Sequence, residues 1–187
     1  MAITYRSTET ARYGRVAIWF HWILAALVIA NIAIVELTED ASRAVRGEWM
    51  GTHKSIGIAV LAVTLGRIAW RLAHTPPPQP ATMKRWEVLF SKTVHGLFYF
   101  LLLALPLTGW IFASTNGKPI NFFGLFDISA LPVSSSKDLR EQFESIHKLL
   151  GNAMLYLAIL HILAALKHQF IDRDGLIGRL NPFAARG

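Results

Sequence analysis

IHKLLGNAMLYLAILHILAAL, residues 146–166, is a twenty-one-residue run that is apolar nearly all round yet carries two histidines, His147 and His161. About 20 such residues cross the hydrocarbon core of a bilayer as a helix. A soluble helix of this length would instead show one polar face. Three further runs, 16–35, 51–72 and 93–113, have the same character, and 53% of the chain is hydrophobic with a mean hydropathy of +0.38. The pattern predicts an all-α membrane protein, an up-and-down bundle of four transmembrane helices. The 187 residues read as a single transmembrane domain with spans at about 16–36, 51–72, 93–113 and 146–168.

An imidazole inside a membrane is costly and needs a partner, so intramembrane histidines mark a functional site. His147 and His161 are fourteen residues apart, which puts them about 40° apart around a helix axis and about 21 Å apart along it. They share a face at two depths. His21 lies six residues beyond Arg15 at the start of the first span, and His161 lies six residues before Lys167 at the end of the fourth. His53 opens the second span where His147 opens the fourth. The matched depths predict two noncovalent heme b groups in the bundle core. His21 and His161 would hold the iron of one, His53 and His147 the iron of the other, each in bis-histidine ligation. A glycine follows both ligands of the second pair at i+4, in HKSIG (53–57) and HKLLG (147–151), where a missing Cβ admits either a flat macrocycle or a neighbouring helix.

Other polar groups near these spans are candidates for the same chemistry. Arg67 is fourteen residues after His53 and shares its face; its guanidinium suits a heme propionate, with Arg71 a turn further on, while snorkelling to headgroups is the plain alternative. His95 is only three residues past Lys92, shallower than His161, and reads as a group beside a heme or at a quinone site. His168, seven residues after His161, suits a propionate or a quinone oxygen, or else the interface. His74 precedes a proline run and should face water.

The charge of +7 is distributed in a way that excludes a nucleic-acid reading. With four spans, the side holding both termini and the 73–92 connection carries twelve Lys and Arg against four acids; the other side carries seven against eight. Lys/Arg asymmetry of this kind orients membrane proteins, so both termini are expected in the cytoplasm. No recognition motif for nucleic acid accompanies the basic residues. The chain has no cysteine, which excludes disulfides, thiolate iron–sulfur clusters and covalent c-type heme. The first run is longer than a signal-peptide core and lacks a cleavage site, so it is expected to stay as a span.

Between the spans, 37–50 reads as a solvated connection, TPPPQP (75–80) as a turn, and 81–91 as a short interfacial helix. Pro106 should kink the third span. Residues 114–136 should fold as a cap, and SSSKD (134–138) has the form of a helix start with a serine N-cap.

In order along the chain, H21-W22, His53, GRIAWR (66–71) followed by TPP (75–77), HGLFYFLLLALPLTG (95–109) and the His147/His161 pair resemble the prokaryotic cytochrome b561 family. The resemblance covers nearly the whole chain. It implies a four-helix diheme membrane cytochrome with His21, His53, His147 and His161 as ligands. It further implies electron transfer to membrane ubiquinone and, for one type of member, oxidation of superoxide at the outer surface. Lys54, Lys148 and Arg140 are the local cations for steering such an anion. Two other readings stand beside a superoxide:ubiquinone oxidoreductase. One is a non-enzymatic cytochrome b subunit relaying electrons for a redox protein partner such as a hydrogenase or dehydrogenase; the other is a heme-free transporter with a histidine proton path.

Overall fold

The computed structural model describes residues 12–78 and 83–183. The sequence features at Arg6, Glu9, Arg186, Pro80 and the start of the 81–91 segment lie outside the described residues. Four long helices dominate: α1 (Arg15–Leu37), α2 (Arg43–Ala73), α3 (Arg85–Ser114) and α4 (Lys137–Lys167). Each is long and apolar enough to cross a membrane. The protein is an up-and-down four-helix membrane bundle.

Two connections differ from the sequence reading. The segment 37–50 is mostly helix, because α2 begins at Arg43, where the Ser42 hydroxyl accepts the Val45 N–H. Its 31 residues make a helix about 46 Å long, so one end stands clear of a roughly 30 Å hydrocarbon core. The charged residues there cover the protruding end of a helix. Likewise the 85–91 part of the expected interfacial helix is continuous with α3, whose N-terminus is closed by the Glu87 carboxylate accepting the Lys84 N–H. α3 remains helical through Pro106. The serine N-cap of α4 is as read: the Ser136 hydroxyl accepts the Leu139 N–H, and Asp138 sits in the first turn.

The cap between α3 and α4 contains an antiparallel hairpin, β1 (Ile120–Phe122) and β2 (Phe126–Ile128), with Ile120 opposite Ile128. Phe123 and Gly124 turn the chain with φ of 51° and 76°. Positive φ at both central positions suits a tight hairpin turn, and Gly adopts it without steric cost. Ser55 anchors the hairpin to α2: its hydroxyl donates to Asn121 O at 2.9 Å and accepts the Phe123 N–H at 3.2 Å. That anchor lies two residues from His53.

At the other end, the C-terminal segment folds back over α1. Trp22 Nε1 donates to Leu180 O at 2.8 Å and Arg12 donates to Asn181 O at 2.7 Å. Buried Arg179 donates to Pro78 O, and its guanidinium lies 5.5 Å from the Tyr13 ring centre. The core at mid-height consists of Leu24, Ile34, Ile56, Val60, Leu101, Leu102 and Met154. α1 packs on α2, α2 on α3 and α3 on α4, whereas no comparable seam joins α4 to α1 or to α2 among the described residues.

Candidate heme sites

The histidines singled out in the sequence meet across those two unsealed helix pairs. At the end near the termini, the rings of His21 (α1) and His161 (α4) have centres 6.4 Å apart. At the hairpin end, His53 (α2) and His147 (α4) are 6.0 Å apart. Two metal–nitrogen bonds of about 2 Å each, plus the offset of each nitrogen from its ring centre, would set two imidazoles that share one metal ion roughly 6 Å apart. Each pair has the separation needed to hold one iron between its rings.

The hairpin-end pair opens into a cavity of about 510 Å³, also lined by Asn31, Gly57, Gly109 and Gly151. His147 Nδ1 lies 3.1 Å from Leu105 O, which leaves its Nε2 for another partner. His53 Nδ1 and Asn31 Oδ1 are buried with no hydrogen-bond partner among the described residues. Buried polar atoms are ordinarily paired, so this chamber suits a group that supplies contacts from outside the chain. An added Cβ on Gly57 or Gly151 would meet nothing within 4 Å, so these glycines open the cavity rather than admit a neighbouring helix.

The end near the termini holds a third imidazole. His95 is 6.0 Å from His161, closer than its shallow position suggested. As a whole residue His95 is more exposed than the four paired histidines, and its Nδ1 is 2.6 Å from Ser91 O. Phe98 lies against His161 at 5.2 Å, and Trp22 against His21 at 5.3 Å. Arg67 donates through Nε to the Tyr99 hydroxyl at 3.1 Å, and the guanidinium groups of Arg67 and Arg71 lie 5.5 and 5.7 Å from the Tyr99 ring centre. The tyrosine thus gathers both arginines, a contact that the arginine spacing alone did not disclose.

His168 lies where α4 ends. The regular α-helix gives way there to a wider turn, His168–Asp172. His168 Nδ1 faces Asp174 at 2.6 Å and Asp172 at 3.1 Å, and Lys167 joins Asp172 at 2.5 Å. The ring belongs to a polar cluster with Lys167, Asp172 and Asp174 at the end of α4. His74 is exposed, as expected, and stacks on Trp70 at 3.6 Å.

The cations beside the hairpin-end cavity are also rearranged. Lys148 is tied to Glu144 at 2.7 Å, and Arg140 donates to Asn116 Oδ1 while lying over the Phe112 ring. Lys54 instead shares a pocket of about 280 Å³ with Lys118 and Asn116. Lys118 lies outside every span and next to no histidine, so only the folded cap reveals it.

The family model described as prokaryotic cytochrome b561 matches residues 12–181. The chain belongs to the prokaryotic cytochrome b561 family. Relatives include cytochrome b561 homolog 2 of Escherichia coli, 29% identical over 90% of each chain, and the probable superoxide oxidase CybB of Yersinia pestis, 32% identical over 91% of this chain and 96% of that one. Cytochrome b562 of Cereibacter sphaeroides is 31% identical over 92% of this chain and 97% of the relative. This cytochrome b561 family member is a bacterial multi-pass membrane cytochrome that binds b-type heme and transfers electrons. Its facing imidazoles suit that cofactor, because neutral imidazole nitrogens are ordinary ligands of heme iron.

Proposed function

We propose that this protein holds two b-type hemes, one between His21 and His161 and one between His53 and His147, and moves electrons between an outer-face donor and membrane ubiquinone. The observation that carries this reading is the pair of facing imidazoles, 6.4 and 6.0 Å apart, on helix pairs that do not seal against each other. Bound heme would supply one-electron redox chemistry. The chain's own residues supply ligation, burial and orientation. Arg67, Arg71 and Tyr99 provide a cationic cluster suited to propionates near the first pair.

Superoxide is the donor we propose, on the strength of the similarity to the probable superoxide oxidase of Y. pestis and of the lysine-lined pocket beside His53. Stopped-flow mixing of purified, oxidised protein with superoxide should reduce the hemes on a sub-second scale, and added ubiquinone should reoxidise them. Absence of reduction by superoxide would favour a cytochrome relaying electrons for a protein partner.

The hairpin end is proposed to face the periplasm and both termini the cytoplasm, supported by twelve cations on the terminal side against seven on the other. A fluorescent protein fused after Gly187 should glow in cells, and alkaline phosphatase at the same place should be inactive. The opposite pair of results would invert the orientation.

A further inference from the structure

One turn of α3 is shaped around a single imidazole of α4. Among the described glycines, Gly109 is the one where a Cβ would fall closer than 3.0 Å to a neighbour: it would stand 2.9 Å from His147 Cε1 and 3.2 Å from His147 Nδ1. Glycine is among the poorest helix formers, so its presence inside α3 needs a reason. Close packing of small residues between membrane helices is a general one. Here the atom in close approach is not backbone but the His147 ring itself.

The same turn supplies what that ring needs. Leu105 O lies 3.1 Å from His147 Nδ1, and the Thr108 hydroxyl lies 3.3 Å from it. Thr108 Oγ1 donates its own hydrogen within α3, with Ala104 O at 2.7 Å. Its lone pairs are what remain to face the imidazole. A Nδ1–H directed at two acceptors fixes the neutral tautomer with Nε2 bare, the form a metal requires.

We propose that the Leu105–Gly109 turn is the positioning element for His147: the carbonyl and the hydroxyl set its tautomer, and the missing Cβ of Gly109 sets its ring plane. The inference rests on the reading of His147 as an axial ligand. An acceptor on Nδ1–H makes Nε2 a stronger donor, which favours ferric iron and lowers the potential. Outer partners of metal-bound histidines typically contribute about 10–100-fold in affinity or activity.

The test uses full-length, heme-loaded protein in detergent, with readouts of heme content, low-spin electron paramagnetic resonance and potentiometric titration. Gly109→Ala should displace or broaden the low-spin signal of one heme, lower its occupancy about 10-fold or more at limiting heme, and leave the other heme unchanged. Thr108→Val should raise the midpoint potential of that same heme, and Thr108→Ser should restore it. Gly47→Ala, where a Cβ meets nothing within 4 Å, should change neither heme. Should Gly109→Ala fail to fold, the Thr108 pair carries the test. Unchanged signal and potential in Gly109→Ala and Thr108→Val, with one heme lost in His147→Ala, would overturn the positioning role alone. Retention of both hemes in His147→Ala would overturn the ligand reading beneath it.

Discussion

With the proposed two hemes per chain, replacing His53 or His147 with alanine is expected to lower the heme content to one, with the heme at the other end retained. Replacing His21 or His161 should do the converse. Each pair reaches across two helices without a sealed seam, so one remaining imidazole would offer a single bond where the proposed site has two. The pairs stand at opposite ends of α4, about 21 Å apart along its axis, which makes loss at one end independent of the other. Pyridine hemochromogen assay gives the count, and redox titration shows which component has gone. One heme per chain in fully loaded wild-type protein would defeat the arrangement.

His95→Ala separates two ligand sets at the end near the termini. His95 stands as near to His161 as His21 does, so ring distance alone does not choose. Exposure does: as a whole residue His95 is exposed, while His21 is half-buried beside Trp22. The His95 variant should therefore keep both hemes, and His21→Ala should lose one. The reverse outcome would move the pairing to His95 and His161.

Much of this site was legible in the sequence because membrane spans have a simple grammar. Four apolar runs and a fourteen-residue histidine spacing are enough to set the depths of His21, His53, His147 and His161. What escaped the sequence lies where that grammar stops. The Arg43–Met50 part of α2 is charged because it projects from the membrane as helix, and hydropathy alone reads such a stretch as connection. His168 keeps the helical phase of His161 on paper, yet the backbone changes pitch at that residue and turns the ring to Asp172 and Asp174. Asn31, Thr108 and Gly109 left traces as polar or small residues within apolar runs, but their meaning depends on which residue of another helix stands opposite. Tyr99 likewise acquires a role only when α2 and α3 bring Arg67 and Arg71 against it.

Reversing the charge of Lys54 and Lys118 together (Lys54→Glu with Lys118→Glu) should slow superoxide-driven heme reduction by about 10-fold or more at low salt, within the roughly 10–10³ range of electrostatic steering. The hairpin side as a whole has seven cations and eight acids, so it presents no broad positive field to an anion. Attraction has to be local. Lys148, adjacent to His147 in sequence, is half of an ion pair with Glu144, and Arg140 is engaged by Asn116 and Phe112. Lys54 and Lys118 line a pocket that shares Lys54, Ala113, Asn116 and Ile120 with the cavity of His53 and His147. An anion held there is beside the larger chamber. Because charges are screened over about 8 Å at physiological ionic strength, the difference between wild type and variant should shrink as salt is added. Lys148→Glu alone should have a smaller effect, since it reverses one charge where the double variant reverses two, and Lys148 lies outside the pocket that Lys54 and Lys118 line. Unaltered optical spectra in every variant keep the comparison separate from heme loss. Equal rates for wild type and the double variant at low salt would remove these lysines from the path of the donor.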